Sequence, residues 1–173
     1  MPNSRHCPED TDCYQQSLSY LRHAIGNRLD EDRVSAFLRS GPDMVDLLAE
    51  NTCVKLRAYP YHPDYLAPLE GATLHGRVLE PLPFDGSLLG QKFKDLRSPL
   101  PEFMLFGKMM VDRTDINHMM QAVKSMKSLW HSTKLLSRYI HDRARFKRGA
   151  RLVMGNALVG RLYHELLSRK VPV

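Results

Sequence analysis

The sequence predicts a mainly helical α+β fold, and three observations carry that prediction. Apolar residues recur at helical spacing over most of the chain. The period shortens to two at Cys53–Tyr59, where Val54 and Leu56 alternate with Lys55 and Arg57. Seven of the eleven prolines then crowd the stretch from Pro60 to Pro101, which neither helix nor central strand tolerates.

The elements follow in order. A first helix is predicted from near Asp12, with Leu18, Leu21, Ala24 and Ile25 as its apolar stripe and Gly26-Asn27 as its stop. A second runs from Asp30 to Gly41, presenting Val34, Phe37 and Leu38. Pro42 then suits the first turn of a third helix, whose apolar face is Met44, Val45, Leu47 and Leu48. After the short strand, residues 60–101 read as one long ordered loop, because Tyr61, Tyr65, Phe84 and Phe93 are too aromatic for a flexible linker. Phe103–Phe106 and Met109–Val111 read as a strand or strand pair around Gly107. Asp112 or Thr114 caps a single long helix reaching about Arg145, with Ile116, Met119, Met120, Val123, Met126, Trp130, Leu136 and Ile140 at helical spacing. A last helix is capped by Asn156, and Val171-Pro172-Val173 resembles the opening of a strand. A helix leading into a strand is half of an α/β unit, so the chain is expected to be one partial domain, 1–173, cut from something larger at both ends.

Composition narrows the function classes. At 173 residues and 43% hydrophobic content, the chain can bury a core. No run approaches the roughly 18 apolar residues of a membrane span. The N-terminus has no apolar signal core, which leads to the expectation of a cytoplasmic protein. Cys7, Cys13 and Cys53 lack CxxC spacing, and no His/Cys pairs recur at zinc spacing, so neither a disulfide scaffold nor a metal site is expected. Nine basic residues stand against one acid, Asp142, between Ala122 and Arg151, while the rest of the chain is slightly acidic. The alternative to an enzyme is therefore a non-catalytic interaction module. In that reading Lys124, Lys127, His131, Lys134, Arg138, His141 and Arg145 form one exposed stripe that docks on an acidic partner or nucleic acid. Nucleic acid is disfavoured, since no aromatic side chains interleave with the charge. Neither Gly-x-Ser-x-Gly, His-Glu-x-x-His nor a P-loop occurs.

Three stretches carry a family resemblance. The first is Tyr59-Pro60 through Asp64-Tyr65, then Gly71 and Gly76-Arg77-Val78-Leu79-Glu80-Pro81-Leu82-Pro83-Phe84-Asp85. The second is Pro99-Leu100-Pro101-Glu102-Phe103-Met104, with Gly107 and Met109-Met110 behind it. The third is Arg151-Leu152-Val153-Met154-Gly155-Asn156-Ala157-Leu158-Val159-Gly160-Arg161-Leu162. In order and spacing these resemble the FAD-dependent 3-ketosteroid dehydrogenases of the fumarate reductase flavoprotein superfamily, and Met1-Pro2-Asn3 extends the match over almost the whole chain.

The resemblance implies a flavoprotein oxidoreductase with FAD as cofactor and a small-molecule ketone as substrate, a steroid-like ketone being one candidate. The fold implied is part of a larger α/β, Rossmann-like FAD-binding domain. It also implies that Tyr65, preceded by Asp64, lies at a loop beside the active site and assists the tyrosine base that removes a proton next to the ketone. Leu66 departs from the pattern, since steroid-acting members often carry a second tyrosine there. Glycines in the order GxGxxG do not occur between Met1 and Val173, so no cofactor-binding residue is assigned and these residues alone are expected to bind no flavin. Arg77 and Glu80 face either a ligand or structural ion pairs that pin the loop.

Overall fold

The computed structural model describes residues 14–59 and 61–173, which fall into two compact units meeting at Pro81-Leu82. The proposed helix start at Asp12, and His6, Cys7 and Cys13, lie outside the described residues.

The first unit opens with two helices, α1 (Tyr14–Ile25) and α2 (Glu31–Asn51). Gly26, at φ +64°, supplies the left-handed turn that ends α1. Asp30 caps α2 by accepting from the Arg33 N–H at 3.1 Å. The two helices are tied by Tyr14 donating to Ser35 Oγ at 3.0 Å and by an Arg22–Glu31 ion pair. α2 is one helix where the sequence suggests two, with Pro42 inside it. Proline removes one backbone donor and crowds the carbonyl four residues back. The helix runs through because Leu38, Gly41 and Val45, spaced three and four apart on one face, are all buried. Burial of that face outweighs the local break signal.

Thr52 ends α2, its Oγ donating to Leu48 O. Val54, fully buried, leads into β1 (Leu56–Ala58), which pairs antiparallel with β2 (Leu79–Pro81) in the register Arg57 opposite Glu80. The strand thus begins two residues later than the alternation suggests. Between β1 and β2 the chain is an ordered hairpin-like loop, its arms joined by backbone bonds from Tyr59 to Val78, His62 to Leu74 and Asp64 to Thr73.

Of two apolar clusters in the second unit, the smaller holds Met109, Val111 and Leu135, and the larger holds Phe84, Leu89, Phe93, Met110, Ala150, Leu152, Val153 and Ala157. Two-residue strands frame it: β3 (Phe84–Asp85) pairs with β6 (Arg151–Leu152), and β4 (Met104–Leu105) pairs with β5 (Met109–Met110). The β4–β5 hairpin turns through the three residues 106–108, with Phe106 and Gly107 at φ +50° and +69° and Lys108 N–H donating to Leu105 O, so the strand pair expected around Gly107 is present. Residues 86–95 are 3-10 turns that carry Leu89 and Phe93 into the cluster. α5 (Met154–Ser168) packs on it through Ala157 and Gly160. A Cβ at Gly160 would sit 2.8 Å from Leu152 Cδ1 and 2.9 Å from Phe84, so only glycine lets the helix approach so closely.

The single long helix expected from Thr114 to Arg145 is two helices, α3 (Arg113–Met120) and α4 (Met126–Arg145), folded back on each other. Ser125 caps α4 and accepts from Ser128 N–H at 3.5 Å. The break leaves Met120, Val123, Met126 and Trp130, four members of that helically spaced apolar series, 75%, 94%, 80% and 72% exposed. It also breaks up the basic stripe. Lys124 lies in the turn, His131 contacts Asp115, and Arg138 pairs with Asp85 at 2.8 Å. The interaction-module reading loses its main support.

The outcome is mainly helical with six short strands among the described residues. No described helix is long and apolar enough to cross a membrane.

Candidate functional site

The loop carrying Tyr65 is held by charge and by shape. Asp64 accepts from the Thr73 N–H at 2.9 Å and from Arg77 Nη1 at 2.5 Å, with both side chains of the ion pair largely buried. Arg77 also donates from Nη2 to Gly71 O at 2.5 Å, and its guanidinium lies 5.0 Å from the centre of the Tyr20 ring. Gly71, at φ +79°, rests on the backbone of α1, where a Cβ would meet Gln16 O and lie 2.7 Å from Tyr20 N. Tyr20 reaches back to accept from the Leu66 N–H at 3.3 Å. Arg77 and Glu80 are thus both structural, but in separate pairs: Glu80 holds Arg57 at 2.6 Å across β1 and β2.

On this pinned loop Tyr65 itself is 94% exposed. Its ring stands edge-on to His62 at 6.1 Å, and His62 stands edge-on to Tyr59 at 5.6 Å. The Tyr65 hydroxyl has no hydrogen-bond partner among the described residues and is open to a partner from outside. A phenol in that position can donate a hydrogen bond to a neighbouring phenolate, which is what an assisting tyrosine must do.

A second polar centre lies at the α3–α4 junction. Asp115, 1% exposed, accepts from His131 Nε2 at 2.9 Å and from the Asp112 N–H at 2.9 Å, and lies 2.7 Å from Arg151 Nη1. Asp112 returns the capping bond from the Asp115 N–H at 2.9 Å and pairs with Arg151 Nη2 at 3.2 Å. The His118 ring lies 4.4 Å from that of His131, with its Nδ1 3.0 Å from Ser128 Oγ. The spacing of Asp112 and Asp115 is a capping-box signal. The His131 contact lies sixteen residues away across a turn that carries no Gly or Pro, so no local pattern announces it. This centre has a structural role: the side chains of Asp112, Asp115 and Arg151 are largely enclosed.

A flavin dinucleotide asks for a pyrophosphate cradle of free N–H groups at a helix start, approached closely over glycine. The starts of α2, α3 and α4 are closed by the side chains of Asp30, Asp112 and Ser125. α5 opens at Val153 with no side-chain cap, but its start carries a single glycine, Gly155, where the dinucleotide fingerprint has three. The described residues do not by themselves fit the dinucleotide. Accordingly, titration of the 173-residue chain with FAD is expected to show no saturable quenching of flavin fluorescence at low micromolar concentration. Saturation there would place a cradle within these residues. Nor do the described residues hold any group of three His, Cys, Asp or Glu able to bind a metal ion.

Comparison with known proteins gives a consistent family. The chain is 31% identical, over 92% of its length and 27% of the relative's, to a 4-oxocyclohex-2-ene-1-carboxylate 5-dehydrogenase of Sinomonas cyclohexanicum. It is 28% identical to a 3-oxosteroid 1-dehydrogenase of Mycolicibacterium smegmatis, over its full length and 30% of that protein. The chain thus spans less than a third of the length of these relatives. Among solved structures, a 3-ketosteroid delta1-dehydrogenase from Sterolibacterium denitrificans, crystallised with 1,4-androstadiene-3,17-dione, superposes with a TM-score of 0.84. That match is at 34% identity and covers 99% of this chain and 31% of the other. The family model described as an FAD binding domain matches residues 1–173, and the chain belongs to that family.

Proposed function

We propose that these residues serve a flavin-dependent dehydrogenase that introduces a double bond next to a ketone, and that Tyr65 assists its proton-abstracting base. The residues 1–173 would then act as one partial segment of a Rossmann-like flavin domain, in a cytoplasmic enzyme. The observation that carries the proposal is the match in order, spacing and backbone to dehydrogenases of cyclic ketones. It is supported by a tyrosine held out of the core on a loop locked by Asp64, Arg77 and Gly71.

The physical logic is that of a tuned phenol. Free phenols have a pKa of about 10, so a tyrosine base at neutral pH needs a donor that stabilises its phenolate. A second tyrosine hydroxyl meets that need without adding charge, provided its backbone cannot drift. Leu66 in place of a second aromatic leaves an aliphatic surface beside Tyr65. That favours a compact cyclic ketone at least as well as a tetracyclic one.

A dye-coupled dehydrogenation assay on the flavin-loaded dehydrogenase that contains these residues, rather than on the 173-residue chain alone, tests the reading. Turnover is expected with a 3-ketosteroid or with a 4-oxocyclohexene carboxylate, and the ratio of kcat/KM between them sets the substrate class. No turnover with either cyclic ketone would contradict the proposal.

A further inference from the structure

The second unit contains a cavity of about 830 Å³ that the dehydrogenase reading leaves without a role. Five cationic residues line it, Lys94, Lys108, Arg145, Lys147 and Arg148, and no Asp or Glu does. Its apolar wall includes Phe93 and Phe146, in edge-to-face contact at 5.1 Å, with Leu96 and Met104 beside them.

Arg148 is the informative residue. It is 8% exposed, with its guanidinium 4.5 Å from the centre of the Phe93 ring. Nη2 donates to Leu96 O at 3.2 Å, whereas Nη1 is buried with no hydrogen-bond partner. Among the described residues no carboxylate pairs with it. A guanidinium keeps its charge at any physiological pH, so burying it without a counter-charge is costly unless something else provides one. Burial pulls its pKa below the ordinary guanidinium value, as expected for a cation short of a partner. The lysines around the cavity are exposed and free to swing, whereas Arg148 is fixed by Phe93 and Leu96.

We propose that this cavity binds an organic carboxylate with an apolar ring body, the ring on the Phe93–Phe146 wall and the carboxylate in the field of Arg148 and the surrounding lysines. The volume is in the range of small-ligand sites, and an apolar wall with convergent polar groups is their usual make-up. Simple inorganic anions would leave the aromatic wall unused, and neutral ring compounds would leave Arg148 uncompensated.

The experiment is calorimetric titration of the 173-residue chain with 2-naphthoate, its neutral counterpart 2-naphthalenemethanol, inorganic phosphate and FAD. Naphthoate is expected to bind at one site, about tenfold or more tighter than the alcohol or phosphate, and FAD is expected not to displace it. The rim variant K108Q/K147Q should weaken naphthoate about fivefold. Arg148→Met should weaken it about tenfold or more while leaving Tm unchanged or raised, because an unpaired buried charge has been replaced by an apolar chain. If Arg148→Met does not fold, or its Tm falls by several degrees, Arg148 is a structural prop and the proposal fails. It also fails if the alcohol or phosphate binds as well as naphthoate, if FAD displaces naphthoate, or if the rim variant binds unchanged.

Discussion

Asp115→Ala is expected to lower the unfolding free energy by about 3–5 kcal/mol, the loss typical of breaking a buried ion pair from one side. Asp115 is almost wholly enclosed and serves three partners at once: His131, Arg151 and the backbone of Asp112. Removing it leaves Arg151, itself largely buried, with only Asp112 at 3.2 Å, and opens the capping box that starts α3. Asp115→Asn should cost less, since an amide can still bond to His131 and to one backbone group. Urea denaturation followed by circular dichroism measures both. An alanine variant within 1 kcal/mol of the parent, on the order of an exposed pair, would mean that the α3–α4 hairpin does not depend on this centre.

Gly71→Ala should disrupt the Tyr65 loop, with a loss of about 3 kcal/mol or more from combined backbone strain and overlap. A left-handed φ of +79° alone makes any side chain unfavourable. Here the added methyl would also be driven into the backbone of α1 at Gln16 and Tyr20, which cannot yield as a side-chain tip can. The loss should be local, seen as faster amide hydrogen exchange at residues 61–78 while the second unit keeps its protection. Unchanged exchange at Thr73 and His62, whose N–H groups bond across the loop or to Asp64, would contradict the pinning described above.

Much of this architecture is legible in the sequence, and the misreadings have definite causes. α1 and the existence of α5 follow from apolar periodicity and the β4–β5 hairpin from its glycine, whereas α5 starts at Met154 rather than behind an Asn156 cap and leaves Leu162 and Leu166 partly exposed. Pro42 reads as a boundary because local rules give proline that meaning, whereas the Leu38–Gly41–Val45 face keeps the helix whole. The break at residues 121–125 is hidden for the opposite reason. Gln121-Ala122-Val123-Lys124-Ser125 contains no strong breaker, and the apolar period happens to continue through it. Val123 at 94% exposure shows that periodicity reports a pattern and not burial. The family is legible because its signal lies in the order of loop residues, which survives such errors. The Asp115–His131 contact and the unpaired Arg148 depend on the chain folding back, and they emerge only from the structure.

Tyr65 is the residue on which the proposed active site depends most, and one substitution addresses it directly. Tyr65→Phe removes a single hydroxyl from a residue whose ring is 94% exposed, so folding should be unaffected. In the flavin-loaded enzyme it is expected to lower kcat about 100-fold with KM nearly unchanged, a size typical of a lost contribution to proton transfer. Exchange of the ketone's neighbouring protons with deuterated solvent should slow in parallel, because in the proposed mechanism the same tyrosine pair governs that step. A Tyr65→Phe enzyme with parental kcat and parental exchange would contradict the assignment of this loop to the active site.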